Sequence, residues 1–311
     1  GIVQGVGFRP FVYNLAATHG LKGYCLNDSE GVVIEAEGAR LDEFIRELTL
    51  KAPPLSKIET ITVTDSIERG FNGFTIRESV AIEGRSVLVS PDISICEDCL
   101  KELFDPADRR YLYPFINCTN CGPRYSIVKD IPYDRPRTTM ARFVLCPECD
   151  KEYHDPGNRR FHAQPNACAK CGPRVWLAHK DGAAIGAGDN GSAIKEGQRL
   201  LREGHILAIK GLGGFHLACD ALNDVAVKRL RENKRRSFIK GGVSNKPFAV
   251  MSPDIESIKS FAFVDTEEAS ALKDRTRPIV LLKKSASALS PHVAPYNNRY
   301  GVMLPYTPLH S

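Results

Sequence analysis

Eight of the ten cysteines stand as four Cys-x-x-Cys pairs: Cys96/Cys99, Cys118/Cys121, Cys146/Cys149 and Cys168/Cys171. Each such turn aims two thiolates at one point, and two turns supply the four soft ligands of a tetrahedral zinc site. Eighteen residues separate the two pairs in each half, and the second half repeats the first at an offset of fifty. More than the cysteines repeats. Lys101-Glu102, Asp105-Pro106, Arg109-Arg110-Tyr111 and Gly122-Pro123-Arg124 return as Lys151-Glu152, Asp155-Pro156, Arg159-Arg160-Phe161 and Gly172-Pro173-Arg174. Redox disulfides and tetrahedral iron draw on the same sulfur chemistry, but two tandem copies without a redox strand–helix context favour structural zinc, two ions in all. Four thiolates leave no open coordination position, so the ions are expected to hold structure rather than do chemistry. Pairing within each half closes the shorter loops, while the spacing alone leaves interleaved pairing open.

A second chemical feature lies at Gly5-Val6-Gly7-Phe8-Arg9. Gly5 and Gly7 allow close backbone approach to an anion, and the helix that follows directs N–H groups and its positive dipole end at it. Gly5, Val6, Gly7 and Phe8 are therefore the expected phosphate-binding backbone, and Arg9 adds a charged fork suited to phosphate. The run Val3-Gln4-Gly5-Val6-Gly7-Phe8-Arg9 closely resembles the acylphosphatase signature, and Asn27 falls eighteen residues after Arg9, where that family carries its catalytic asparagine. The resemblance implies that Arg9 and Asn27 are catalytic. Arg9 would hold an acyl phosphate and Asn27 orient the attacking water, with no metal and no covalent intermediate. Glu30 departs from the aspartate usual before the turn glycine.

The surrounding pattern predicts the elements that position these residues. Phe8, Phe11/Val12, Leu15/Ala16 and His19 recur at helical spacing up to Gly20. A hairpin over 22–27 and 32–37 follows, then a helix with Leu41, Phe44, Ile45 and Leu48 inward, then strands at 58–64 and 73–78. That β-α-β-β-α-β order is the split ferredoxin-like plan, assigned to residues 1–80. His19 and Cys25 read as packing residues. Residues 81–185 hold a connector, with a short strand expected at Val87-Leu88-Val89, and the tandem four-cysteine segment. Arg109, Arg110, Arg124, Arg159, Arg160 and Arg174 offer a phosphate-binding surface, but a structural role on Asp105, Asp108, Asp155 or the finger backbone is favoured. His154 and His162 would be metal ligands only if a cysteine were missing, and none is.

Residues 186–311 read as an α/β domain. A helix from Ser192 carries Ile194, Leu200 and Leu201 to Gly204, and a buried strand at 206–209 leads into Lys210-Gly211-Leu212-Gly213-Gly214. A helix from Asn223 turns Val227 and Leu230 inward, and strands are expected at 247–251 and 278–283. From Lys228 to Lys246 there are eight Lys/Arg residues and one acid, Glu232, beside a glycine turn. These blocks, with residues 301–310, resemble in order the YrdC-like domain, a family that binds ATP and a carbamate-type substrate and forms an acyl-adenylate. The resemblance implies nucleotide-binding roles for Lys210, Gly213, Arg235, Lys246 and Arg277. Residues 237–245 form a longer loop than the family's usual one.

At 311 residues, 42% apolar and 25% charged, with a net charge of +5, the chain has room for several folded domains and permits an anionic substrate without demanding one. Neither a signal peptide nor a membrane-length apolar run is expected from the pattern, and clustered thiols in metal spacing fit a reducing cytoplasm. Both ends read as cut, so a piece of a longer protein is expected. The fold class is α+β and multidomain: a ferredoxin-like acylphosphatase domain, a tandem four-cysteine zinc-finger domain and a YrdC-like α/β domain. That order resembles the HypF family of hydrogenase-maturation carbamoyltransferases. The resemblance implies release of carbamate from carbamoyl phosphate, then its joining to AMP from ATP with Mg2+. A further domain absent here would then transfer the carbamoyl group to the C-terminal cysteine of the partner HypE. A basic RNA-binding or tRNA-modifying zinc-finger protein is the alternative, against which the fingers lack interleaved exposed aromatics. A pure scaffold is countered by Arg9 and Asn27.

Overall fold

The computed structural model describes residues 1–80, 88–185, 190–234, 246–285 and 289–311. Backbone contacts divide the chain into one unit of residues 1–99 and 116–173 and a second of residues 100–115 and 174–311.

In the first unit the helical spacing forms α1 (Phe8–Thr18), which buries Phe8, Val12, Leu15 and Ala16. The helix ends in a Schellman motif, with Gly20 N–H donating to Ala17 O at 3.1 Å and Leu21 N–H to Ala16 O at 2.9 Å. The expected hairpin forms with the expected bounds, β1 (Lys22–Asn27) antiparallel to β2 (Val32–Glu37). A second helix, α2 (Leu41–Leu50), buries Phe44 and Leu48, and β3 (Phe74–Ile76) runs parallel to β1. Side chains of α1, α2 and the sheet close one core around Val6, Val12, Ala16 and Cys25.

The expected strand at 58–64 does not form. A strand needs a neighbour's backbone to complete its ladder, and the ladder here reduces to one bridge between Ile2 and Lys57. Residues 59–70 lie exposed. The strand expected at 73–78 is likewise shorter, held to the three residues that pair with Gly23, Tyr24 and Cys25.

The sequence repeat becomes a structural one. Helix α3 (Glu97–Phe104) and helix α4 (Pro147–His154) each begin directly after the first cysteine of their half, with acidic residues in the first turn against the helix dipole. Between them run two 3-10 turns, Arg135–Arg137 and Thr139–Arg142. The part of the connector at 84–87 lies outside the described residues, and residues 88 and 89 carry no strand.

The second unit holds a small hairpin, β4 (Leu177–Ala178) with β5 (Ala184–Ile185), then α5 (Asn190–Arg202). The antiparallel pair β6 (Leu207–Lys210) and β7 (Phe215–Ala218) flanks the glycine turn. Helix α6 (Asp224–Asn233) is capped by Asn223 and buries Val227 and Leu230. A three-stranded sheet in the order β8 (Ala249–Met251), β10 (Arg299–Met303), β9 (Val280–Lys283) carries the unit's core with α7 (Ile255–Lys259) and α8 (Thr266–Lys273). A capping box between Asp265 and Glu268 starts α8. Among the described residues no helix is long and apolar enough to cross a membrane.

Gly23 has φ 140° opposite Ala36, and a Cβ there would overlap the Glu35 carbonyl. Gly23→Ala is expected to destabilise the first unit by about 1–3 kcal/mol, read as a lower melting midpoint.

Candidate functional site

The eight paired cysteines gather into two clusters, Cys96, Cys99, Cys118 and Cys121 in one and Cys146, Cys149, Cys168 and Cys171 in the other. Pairing is therefore within each half. Three sulfur–sulfur distances in each cluster lie between 3.5 and 3.8 Å, and all sulfurs of a cluster lie within 4.8 Å of one another. A tetrahedron with metal–sulfur bonds of ~2.3 Å has edges of about 3.8 Å, so both sets fit zinc with no position left open. Within the first cluster the hydrogen bond between Cys118 and Cys121 holds the Cys118 thiol below its ordinary value and lifts Cys121 well above. A dication would displace the shared protons from all four.

The two halves are laced together. Thr119 N–H donates to Arg159 O at 3.3 Å, Asn117 Nδ2 to Pro165 O at 2.9 Å and Arg160 Nε to Asn117 O at 3.1 Å. Arg159 Nη2 lies 3.0 Å from Cys99 Sγ, so an arginine of the second half donates to a ligand of the first. Arg124 turns its guanidinium onto the carbonyls of Cys118, Thr119, Cys121 and Pro123, and its Nε reaches Gly5 O. These arginines play the structural role favoured from sequence, mostly on backbone. Asp105, Asp108 and Asp155 accept from N–H groups of their own loops.

That last contact brings the finger to the glycine turn. Gly5 and Gly7 take φ 72° and 75°, a region costly for other residues, and Gly7 caps α1. A Cβ on Gly5 would stand 3.2 Å from Arg124 and 3.4 Å from the Tyr133 ring; one on Gly7 would stand 3.2 Å from Thr119. Val6 sends its side chain into the core, while Gly5, Gly7, Phe8 and Arg9 line a pocket with Asn27. Gln4 staples the turn in place. Its Nε2 donates to Asp28 O and Gly31 O at 2.7 and 2.8 Å, and its Oε1 accepts from Tyr133 N–H at 3.1 Å.

Arg9 is 8% exposed and Asn27 1%. With its amide oriented as its neighbours require, Asn27 Oδ1 accepts from Arg9 Nε and Nη2 at 3.2 Å each. Arg9 Nη1 donates to Ser79 Oγ at 3.2 Å, and Nη2 to Asp134 Oδ1 at 2.6 Å. The pair expected to act together is thus in contact. Val3, Gln4 and Pro10 also line the pocket, and the finger contributes Thr119, Arg124, Tyr133, His162, Ala163 and Gln164. Sequence reasoning missed Tyr133, Asp134, His162 and Gln164 as site residues. The one signal available was the repeat itself, which carries Leu112 where the second half has His162.

Burial governs the titratable groups here. It pushes the Cys25 thiol and the Tyr133 phenol each up to about 12, so both stay protonated. Burial, helped by the positive charge of Arg9, brings the His162 ring down to about 4. The ring is therefore neutral near pH 7.

In the second unit the expected nucleotide residues are spread over several elements. Lys210 ends β6 with its Nζ 5.0 Å from the Phe215 ring centre, and Gly213 has φ 77° with open space around it. Gly211, in the same turn, lies against Tyr306 and His216. Because β8 is parallel to β10 and β9 antiparallel to it, the strands preceded by Lys246 and Arg277 start from opposite ends of the sheet. Arg277 donates to Leu272 O at 3.3 Å, and its buried Nε has no partner among the described residues. Arg235 and the loop at 237–245 lie outside the described residues.

Family models match in the same order: acylphosphatase over residues 1–76, the HypF finger over 95–128 and 145–178, and the Sua5/YciO/YrdC model, described as telomere recombination, over 199–311. The acylphosphatase of Thermotoga petrophila is 41% identical over 80 residues, 25% of this chain and 88% of that protein. An acylphosphatase-type domain joined to a four-cysteine double finger is thus the class defined by fold and site. The carbamoyltransferase HypF of Synechocystis is 51% identical over 313 residues, covering 100% of this chain and 40% of that one. A crystal structure of full-length HypF in the phosphate- and nucleotide-bound form matches with a TM-score of 0.91 and 50% identity, over 100% of this chain and 39% of that one. The chain belongs to the HypF family, and it spans about 40% of the length of the first-named carbamoyltransferase.

Two outcomes are expected. Cys121→Ser lowers the zinc bound per chain from about two equivalents to about one, by metal analysis of the purified protein. The unfolded chain takes up a proton on His162 near its ordinary value of 6.5, whereas the folded ring refuses it down to about 4. Stability from this group is therefore full above that window and falls as pH drops through it. His162→Leu, the residue of the first repeat, should shrink the loss of denaturation midpoint between about pH 7.5 and about pH 5.

Proposed function

We propose that the first unit hydrolyses carbamoyl phosphate and that the second joins the released carbamate to AMP, using ATP with Mg2+. The contact of Arg9 with Asn27 beside the glycine turn carries this reading. Fixed positive charge at the turn, the α1 N-terminus and Arg9 suits a phosphoryl group, and no protein nucleophile is needed. In the proposed step a water oriented by Asn27 attacks phosphorus. The bond from phosphorus to the acyl oxygen breaks, its electron pair leaves with carbamate, and the water oxygen stays on phosphate.

Carbamate decomposes readily in water, so prompt capture at a water-excluding adenylation site limits its loss. Lys210, Gly213 and Arg277, with Arg235 and Lys246, are the proposed polyphosphate ligands. Residues 1–80, 81–185 and 186–311 are the proposed divisions for hydrolysis, metal-held structure and adenylation. Transfer of the carbamoyl group to HypE would use parts of the protein outside this chain, in the cytoplasm.

In the full-length, zinc-loaded protein, Arg9→Ala should lower carbamoyl-phosphate hydrolysis by about 10²–10³-fold, measured as phosphate release. Arg9→Lys should not restore it, because a point charge cannot replace the planar fork. Carbamoyl-phosphate-dependent exchange of labelled pyrophosphate into ATP tests the second step. Its absence, with phosphate release intact, would remove the adenylation half of the reading.

A further inference from the structure

The glycine turn and Arg9 account for the phosphoryl end of an acyl phosphate, and the finger segment supplies a further wall of the same pocket. An isolated acylphosphatase domain has no such wall, since the family match stops at residue 76. Two side chains on that wall have hydrogen-bonding capacity that the fold does not use. Tyr133 lines the pocket, and its hydroxyl is buried without a partner among the described residues. A buried hydroxyl left unpaired is costly, and a position that keeps one calls for a ligand that satisfies it.

The second is His162. Its backbone is fixed at φ 51°, in the left-handed region, with its N–H donating to Tyr153 O at 2.9 Å. Its carbonyl accepts from Gln164 Nε2 at 2.8 Å. The ring packs between Phe161 and Tyr153, with centres 4.7 and 5.0 Å away, and neither ring nitrogen has a hydrogen-bond partner among the described residues. Arg9, His154, Asp134 and Tyr153 are the ionisable groups around it, and the ring stays neutral, keeping one nitrogen as an acceptor. The neighbouring polar atoms are occupied: Asp134 by Arg9, and Gln164 Oε1 by Arg135 N–H and the Tyr153 hydroxyl.

We propose that this wall is the acyl half of the site, where the Tyr133 hydroxyl and the His162 ring accept the two N–H bonds of a carbamoyl group. Resting on the carbamoyl-phosphate reading above, it explains how the site tells that substrate from other acyl phosphates. Acetyl phosphate has a methyl group where carbamoyl phosphate has an amine, with nothing to donate. A site built to pair a substrate N–H rejects the analogue that lacks it, because its own polar groups would stay unpaired. The second metal cluster thereby becomes a specificity device, since it holds the loop that carries His162.

The test compares kcat/KM for carbamoyl phosphate and acetyl phosphate in the full-length, zinc-loaded protein. Tyr133→Phe, which keeps the ring and its packing, should lower the carbamoyl-to-acetyl ratio by about tenfold or more. His162→Leu should do the same, and His162→Asn, which returns an acceptor, should recover part of the ratio. Loss of both substrates in equal proportion would mean that these residues only support the fold and would overturn the proposal. An unchanged ratio, with Arg9-dependent hydrolysis intact, would overturn it alone. No Arg9-dependent hydrolysis of either substrate would overturn the function reading and this inference with it.

Discussion

One buried guanidinium ties the first metal cluster to the glycine turn. Arg124 is 2% exposed, and burying its charge is tolerable only because carbonyls meet its donors. Four of those carbonyls belong to residues 118–123, the knuckle that carries Cys118 and Cys121; the fifth is Gly5. Whatever loosens the knuckle takes away the Arg124 anchor and with it one support of the turn. Tyr133 adds a second link, through its N–H to Gln4, which in turn grips the β1–β2 connection. The pocket beside Arg9 is thus a product of two sequence segments more than a hundred residues apart, and the cysteine clusters hold one of them.

Local pattern was enough to read some of this architecture. The hairpin β1–β2, both helices packed on it and the two four-cysteine sets follow from residues close in sequence, where spacing and turn chemistry decide. The strand expected at 58–64 had suitable residues but no partner backbone, and partnership is not a local property. The same limit hid Asp134 and Tyr133, which meet Arg9 and Gln4 across more than 120 residues. Repeat logic also misleads about individual side chains. Arg124 and Arg174 occupy equivalent positions, yet Arg124 is buried and Arg174 exposed.

The second unit shows the same division. Asn223 and Asp265 each cap the helix that follows them, and the α6 cap lies where the sequence placed it. Strand β10 was unforeseen, although it is the centre of the sheet and carries Val302 and Tyr300 into the core. Its neighbours fix the directions from which Lys246 and Arg277 approach, which no count of basic residues reveals. The glycine turn after β6 packs against Tyr306 and His216, so the aromatic cluster of His216, Tyr306 and His310 belongs to its surroundings.

In the proposed function the finger completes the acyl-phosphate site. The most direct measurement is carbamoyl-phosphate hydrolysis by the full-length protein as zinc is withdrawn by a chelator and then restored, with bound metal counted at each point. Arg9-dependent hydrolysis is expected to fall as the clusters empty and to return on reloading. Undiminished hydrolysis by the metal-free protein would contradict it, because the glycine turn would then work without the wall that Arg124 and Tyr133 provide.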